Sequence, residues 1–291
     1  MTAAEFAALD ALIGLALTED LGEAGDVTSR ATIPAGQTGR AAVVARAPGV
    51  LAGIEAAARV AERVDPALRF EPRLADGASL DKGDVIATLA GPMRSLLAAE
   101  RTLLNFLQRL SGVATLTRQY VEAVAGLKVE ILDTRKTTPG WRLLEKAAVR
   151  AGGGTNHRIG LHDAILIKDN HLAGVRSAER EGRSEIEVAI ARCRAAYPTL
   201  PVEVEVDSLD QFDVALACGP AIVLLDNMTT DHMREAVRRR AALAPATLLE
   251  ASGGVNLETI RGIAETGVDR ISVGALTHSA KALDIALDYQ E

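Results

Sequence analysis

The feature that most restricts the fold of this chain is a unit recurring along its second half: a short apolar run, a polar residue at its end, then a helical stripe. The apolar runs are residues 129–132 before Asp133, 164–167 before Lys168, 202–206 before Asp207, 221–225 before Asp226, 247–249 before Glu250 and 271–273 before Gly274. Helical stripes at 186–197, 209–218, 231–243, 257–266 and 280–289 separate or follow the last five. Such alternation builds parallel strands joined by crossover helices, and the spacing predicts an α/β fold with a closed or nearly closed (β/α) barrel rather than a sandwich. Only six runs are convincing, so an incomplete barrel also satisfies the pattern. The polar residues then gather at the C-terminal ends of the strands, with Arg135, Lys168, Glu205, Asp226, Ser252 and Gly274 around one mouth.

The first half reads differently. Residues 6–21 carry apolar positions at helical spacing, and 23–34 read as a loop with a helix cap at Asp26 or Thr28. Residues 39–51 alternate as a strand, 54–64 form a helix ending before Asp65-Pro66, and a strand-turn-strand section follows. The turn at 77–86 is similar to that of a biotinyl or lipoyl carrier hairpin, but Lys82 lacks the methionine or paired-acid setting of the carrier signatures, so the likeness extends to the β-scaffold alone. An amphipathic helix at 95–112, striped by Leu96, Leu97, Leu103, Leu104, Phe106, Leu107 and Leu110, is expected to connect an N-terminal domain (1–112) to a C-terminal one (113–291).

With 48% hydrophobic but only 3% aromatic residues, the core of these 291 residues is expected to be aliphatic. Nothing at the N-terminus has the basic and apolar pattern of a signal peptide, and no apolar run approaches a membrane span, which predicts a soluble cytoplasmic protein with no membrane partner. Cys193 and Cys218 lie apart with no CxxC spacing and are expected as reduced core residues. A pI near 5.4 argues against nucleic acid as the main partner.

Against the overall charge of −7, residues 133–171 concentrate Arg135, Lys136, Arg142, Lys146, Arg150, Arg158 and Lys168 beside Asp133, Glu145, Asp163 and Asp169. This local excess of base predicts an anion-binding active site, with the backbone amides of Gly152–Gly153–Gly154 and the donors of Thr155-Asn156-His157-Arg158 converging on one ligand. Arginine forks hold carboxylates bidentately and lysine acts as a compact charge, so the expected substrate is small and acidic. Ser252-Gly253-Gly254 and Ser272-Val273-Gly274 follow the last two strands, where glycine lets amides approach a phosphate. Glu205 and Asp226, at the ends of successive strands, are placed to meet ribose hydroxyls or a magnesium ion through water; ordinary salt bridges are the other reading. In 202–207, Glu203, Glu205 and Asp207 share one strand face, expected to point inward, and the valines the other. His157, His162 and His171 lack the spacing of a metal site.

Together DTRKTTPG, GGGTNHRIGLHDAILIKDNH, EVEVDS, LLDN, EASGG and SVGALTHS resemble the quinolinate phosphoribosyltransferase family across residues 100–284, with looser agreement before them. The resemblance implies an N-terminal α/β sandwich and a C-terminal open (β/α) barrel of the type II phosphoribosyltransferase kind. It implies transfer of phosphoribosyl from phosphoribosyl pyrophosphate (PRPP) to quinolinate with loss of carbon dioxide, using Mg2+, in a homodimer whose active site is shared between subunits. By position in the motifs, Arg135, His157, Arg158 and Lys168 match residues around the quinolinate carboxylates, and Arg101 matches an arginine lent by the partner. Lys136 matches a residue near the pyrophosphate, Glu205 and Asp226 those facing the ribose and its metal, and Ser252, Gly253, Gly254 and Gly274 the 5-phosphate loops. Thr134, Ser272 and Val273 complete the expected substrate-binding set, with Lys136, Glu205 and Asp226 as its catalytic members. A charged insertion at 176–184 departs from the pattern. A related transferase with another acceptor, or a non-catalytic phosphate-binding module, would account for part of these features.

Overall fold

The computed structural model describes residues 1–175 and 182–290. In chain order the first elements are α1 (Ala3–Leu21), α2 (Val27–Thr32), β1 (Thr38–Ala45), β2 (Gly49–Val50), α3 (Ile54–Val64), β3 (Arg69–Pro72), β4 (Ser79–Leu80), β5 (Val85–Pro92) and α4 (Met93–Ala123). Then come β6 (Glu130–Leu132), α5 (Arg142–Ala151), β7 (Ile165–Ile167), α6 (Asp169–Val175), α7 (Glu185–Ala196), β8 (Val202–Val206), α8 (Leu209–Ala217) and β9 (Ile222–Asp226). Last are α9 (Thr230–Leu243), β10 (Leu248–Ser252), α10 (Ile260–Ala264), β11 (Arg270–Ser272), α11 (Ala275–His278) and β12 (Ile285–Gln290). Two compact units share these elements: residues 1–118, 136–154 and 276–291 form one, and 119–135 with 155–275 form the other. No helix among the described residues is long and apolar enough to cross a membrane.

The first unit is an α/β sandwich on an antiparallel sheet of order β12-β1-β5-β3. Helix α1 begins in a capping box, in which the Thr2 hydroxyl accepts the Glu5 N–H and Glu5 reaches back to the Thr2 amide at 2.8 Å. Asp26 caps α2, one of the two positions expected. The strand expected over 39–51 is interrupted after Ala45, where the chain turns through Arg46, Ala47 and Pro48 before the short β2. The helix expected at 95–112 runs on to Ala123, because Val113, Ala114 and Tyr120 extend its buried stripe.

One element is corrected. Residues 280–289, expected as a helix, are instead α11's exit and strand β12, paired antiparallel to β1 from Ile285 opposite Ala45 to Gln290 opposite Arg40. Ile285 and Leu287 alternate inward with Ala286 and Asp288 turned out, a period of two hidden inside a compatible helical pattern, and the open edge of β1 decides between them.

The second unit is an open (β/α) barrel. Its six strands are parallel and ordered β6-β11-β10-β9-β8-β7, with β6 and β7 as the two edges. All six apolar runs are its strands; the stripe at 257–266 shortens to α10, and the other outer helices lie within a residue or so of expectation. Val202, Val204 and Val206 are buried, and so is Glu203, so β8 is covered on both faces over most of its length.

In the first unit Gly152–Gly153–Gly154 ends α5 rather than presenting amides to a ligand: their N–H groups donate to the carbonyls of Ala148, Arg150 and Val149. That corrects the expected anion cradle. Gly153 takes the left-handed φ of 95°, and a Cβ on Gly152 would meet the Ala114 carbonyl and sit 2.6 Å from the Thr117 Cβ. Gly152→Ala is therefore expected to lower unfolding free energy by roughly 1–3 kcal/mol as α4 and α5 are forced apart. Urea denaturation checks this, and an unchanged midpoint would show that the contact relaxes freely.

Candidate active site

The strand registers place most of the polar residues of the barrel on one sheet face. Glu205 lies opposite Leu224, Asp226 opposite Ser252, Glu203 opposite Leu166 and Ile222, and Ser272 opposite Leu132. By strict alternation Lys168, Glu203, Glu205, Asp226, Glu250, Ser252, Ser272 and Thr134 share that face. It is the inner face, since Glu203 of β8 and Glu250 of β10, with β9 between them, both reach the His157 ring across it. Of the acids on 202–207, Glu203 and Glu205 turn inward as expected, whereas Asp207 is exposed past the strand end, its amide donating to Gln211.

Cations follow both edge strands of this sheet, Arg135 after β6 and Lys168 after β7. Lys168 follows β7 and its ammonium lies 2.7 Å from Glu205 Oε2, with the lysine side chain 44% exposed and the glutamate 15%. Arg158 is half-buried and donates to the Ala164 carbonyl at 3.1 Å. Burial and then the charge of nearby Arg135 lower the pKa of its guanidinium, which places the two arginines close enough to repel. Nearby like charges are destabilising when empty and favourable when an anion arrives, so this pair has the character of a carboxylate or phosphate site.

Beneath them lies a cluster the motif reading had not assembled. His157 Nε2 is 3.2 Å from Glu203 Oε2 and 3.3 Å from Glu250 Oε1, with ligand atoms of all three residues within 4.8 Å of one another. Ser272 donates its hydroxyl to Glu250, and Glu203 Oε1 and Glu250 Oε2 have no hydrogen-bond partner. The group has the donor set of a metal site, but its separations are those of a ring N–H shared between two carboxylates. Asp133, fully buried at the end of β6, accepts from the Asn156 side chain at 2.6 Å and the His157 amide at 2.9 Å. Glu203 was legible as the inward partner of Glu205 in EVEVD. Glu250 stands at the end of its apolar run, but nothing local marks a residue whose partners come from β11 and a distant loop.

The remaining expected residues divide between the units. Ser252 ends β10, and a Cβ on Gly253 would collide with Asn227 Oδ1 and sit 2.9 Å from its amide, so that glycine lets the β9 and β10 ends approach. Asn227 itself takes a positive φ of 52°. Gly254 has nothing within 4 Å of a Cβ position. Val273 is buried and its amide donates to Leu132, so it joins the barrel wall, with Gly274 leading into α11. Thr134 follows β6.

Arg101 and Lys136 belong to the first unit. Arg101 is exposed on α4, opposite the buried Leu103, Leu104 and Leu107, and lines a groove of about 370 Å³ with Leu12, Leu15, Asp20 and Trp141. Lys136 sits in a loop held by a buried ion pair. Glu145 accepts from Thr138 N at 3.0 Å and from Arg109 Nη2 at 2.5 Å, while Thr277 Oγ1 donates to the Lys136 carbonyl at 2.8 Å. Residues 176–181 of the expected insertion lie outside the described residues, and Ser184 caps α7. Cys193 and Cys218 are free thiols and half-buried rather than core, with burial raising both pKa values.

Burial by itself would lower the His157 pKa, but the bonds to Glu203 and Glu250 prevail and raise it from 6.5 to about 9. Charging the ring puts a proton on Nδ1, which accepts the Arg158 N–H at 2.7 Å. That neutral bond, about 0.5–1.5 kcal/mol, is outweighed by the charge-assisted bond of the one Nε2–H shared between two carboxylates, roughly 1.5–3 kcal/mol. Since the folded value lies above the unfolded one, the stabilisation is complete below about pH 6.5 and is lost as pH rises through about 9. Unfolding free energy should fall by on the order of 3 kcal/mol across that window in the wild type and not in His157→Gln. Denaturation at the two pH limits checks this; equal slopes in both proteins would place the ring near its ordinary pKa.

Comparison with known proteins bears on what this geometry serves. The model of the quinolinate phosphoribosyl transferase C-terminal domain matches residues 113–288, and that of the N-terminal domain residues 26–111. The chain is 49% identical over 286 residues to the nicotinate-nucleotide pyrophosphorylase [carboxylating] of Mycobacterium leprae, with 98% of each chain covered. It is 44% identical to a probable enzyme of that name from Bacillus subtilis, covering 93% of this chain and 89% of the relative. The solved nicotinate-nucleotide pyrophosphorylase of Francisella tularensis superposes with a TM-score of 0.90 at 39% identity, covering 97% of this chain and 96% of the other. With both domain models matched in order along nearly the whole sequence, the chain belongs to the quinolinate phosphoribosyltransferase family.

Proposed function

We propose that this chain transfers the phosphoribosyl group of PRPP to the ring nitrogen of quinolinate, with loss of carbon dioxide, giving nicotinate mononucleotide and pyrophosphate on the route to NAD. The observation that carries the reading is Lys168 paired with Glu205 on the sheet face that also bears Asp226, with Arg158 close to Arg135, cations for a dicarboxylate and anions for a cationic sugar in one unit. Arg135, Arg158 and Lys168 neutralise the quinolinate carboxylates, with His157 beside them. Departure of pyrophosphate leaves positive charge on the ribose ring, which Glu205 and Asp226 stabilise, while Lys136 offsets charge on the leaving group. Attack by the ring nitrogen makes the pyridine cationic. The adjacent carboxylate then leaves as carbon dioxide, because the electron pair left on the ring carbon is stabilised by that charge until a proton replaces it.

Glu205 is a reason to expect order in these events. Its Oε2 is engaged by Lys168 at 2.7 Å, so a carboxylate that draws Lys168 away frees Glu205 for the ribose side. Glu205 and Asp226 also fit magnesium, a hard cation that takes one or two protein carboxylates and completes its shell with water and phosphate oxygens. Both are carboxylates on the same face of neighbouring strands, and the Asp226 Oδ2 bond to Asn227, at 2.8 Å, leaves its other oxygen for such a ligand. The ion would supply charge neutralisation of the pyrophosphate. Ser252, Gly253, Gly254 and Gly274, with Thr134, Ser272 and Val273 around them, supply the phosphate end. The same reading makes the chain a cytoplasmic homodimer divided near 112/113, in which Arg101 reaches the partner's site.

Purified protein should release pyrophosphate and carbon dioxide with quinolinate and not with nicotinate; equal turnover of nicotinate would refute the acceptor. Arg135→Ala and Lys168→Ala should each lose on the order of 2–5 kcal/mol of transition-state stabilisation with unchanged circular dichroism. Asp226→Asn should lower kcat with a modest change in quinolinate KM, whereas a large KM rise at constant kcat would put Asp226 in the acceptor pocket. Mixing inactive Arg101→Ala with inactive Lys168→Ala under subunit exchange should restore activity, because one hybrid site carries both lesions and the other neither. Exchange without recovery would confine Arg101 to its own chain.

A further inference from the structure

Two carboxylates buried against one imidazole are expensive to keep. Glu203 and Glu250 are 3% and 0% exposed, and both approach His157 Nε2. Each acid also holds an oxygen with no hydrogen-bond partner. Removing a carboxylate from water costs several kcal/mol unless its lone pairs are met, and one aliphatic side chain at either position would avoid the cost. Neither acid reaches the strand ends where the other polar residues lie: Glu203 is two residues before Glu205, and Glu250 two before Ser252. Their placement makes sense only through what they hold.

What they hold is one edge of the His157 ring. Nε2 is fixed from β8 by Glu203 and from β10 by Glu250, and Glu250 is fixed in turn from β11 by Ser272. The backbone of the same residue is fixed from the end of β6 by Asp133. Three strands thereby set the ring, and a fourth its backbone. Its other edge, Nδ1, faces the amide of Arg158, a residue next to the charge of Arg135. A carboxylate pair on Nε2 fixes the ring orientation and favours the imidazolium, as carboxylate partners of histidine do generally.

We infer that Glu203 and Glu250 are positioning residues for the transfer: gripping Nε2 from below, they present the Nδ1–H of a charged His157 ring as a donor to a carboxylate of the acceptor. In the neutral ring that edge accepts the Arg158 N–H; once the ring is charged, Nδ1–H and the Arg158 N–H face outward as two donors, and an arriving carboxylate accepts from both. This rests on the functional reading above, because it names how one member of the acceptor site is made competent. Charged groups facing the ring include Glu203 and Glu250, with Asp133 at its backbone and Arg158 beside it in sequence.

The test uses full-length Glu203→Gln and Glu250→Gln, near-isosteric changes that keep an acceptor and remove the charge. Each should raise quinolinate KM roughly tenfold, about one charge-assisted hydrogen bond, with kcat and PRPP KM nearly constant. The ring nitrogens of His157, followed by 15N NMR without substrate, should titrate near 9 in the wild type and closer to 6.5 in either variant. Wild-type titration in both variants, or parallel losses in kcat and both KM values with a lowered melting temperature, would make the acids merely structural and overturn the inference. So would a stoichiometric transition metal in the purified protein that both variants release, since Nε2 would then be a ligand without a proton. Failure of the wild type to use quinolinate sinks the functional reading instead, while the NMR comparison still reports whether the acids set the ring.

Discussion

The barrel interior depends on burying acid. Glu203, Glu250 and Asp133 are each almost wholly removed from water, and all three act on the segment that carries Asn156 and His157. This segment lies between α5 and β7 and has little regular structure of its own, with Thr155 making an isolated bridge to Leu132. Loops are ordinarily the least certain part of a barrel mouth, but here polar groups from four strands fix one. Desolvation is the opposing term, and it is met by charge-assisted bonds rather than by apolar packing.

Much of this frame could be read in the sequence, and the division between what could and could not is physical. Six apolar runs became six strands because each is bounded by its own turn and helix, and a period of two or 3.6 is a local property. The same alternation put Glu203 and Glu205 on the inner face before any partner was known. Residues 280–289 failed that test because two periods fit them, and the open edge of β1, some 240 positions earlier, chose the strand. The triple glycine failed for a related reason. Three flexible residues between a helix and a polar segment suit an anion loop as well as a helix end, and the close approach of Ala114 decides which. The charged helix α5 was over-read in the same way, since Glu145 and Lys146 are among the most buried side chains of the chain and Arg150 pairs with Glu5.

Local positive charge in an acidic chain is the other organising fact. Arg135, Arg158 and Lys168 stand out against a net charge of −7, yet Lys168 is already paired with Glu205 and the arginines crowd one another. Such a site is balanced rather than saturated: an incoming anion relieves repulsion at the arginines and competes for the lysine, so ligand binding and release of an acid are linked.

The backbone around these cations is nearly silent. The amides of residues 152–155, 157, 159 and 160 are donated to carbonyls or carboxylates, so recognition of an anion there falls to side chains and to the Arg158 amide, which meets the His157 ring. At the ends of β9 and β10 the arrangement reverses. Asn227 packs so closely on Gly253 that no Cβ fits at the glycine, while the neighbouring Gly254 opens onto space. A planar dicarboxylate is matched by arginine forks, whose planes and charges converge from separate loops. A phosphate is matched by backbone brought near through missing side chains. Under the proposed reading the two substrates of the transfer are thus told apart by the kind of donor each meets, and one parallel sheet carries both kinds on adjacent strand ends.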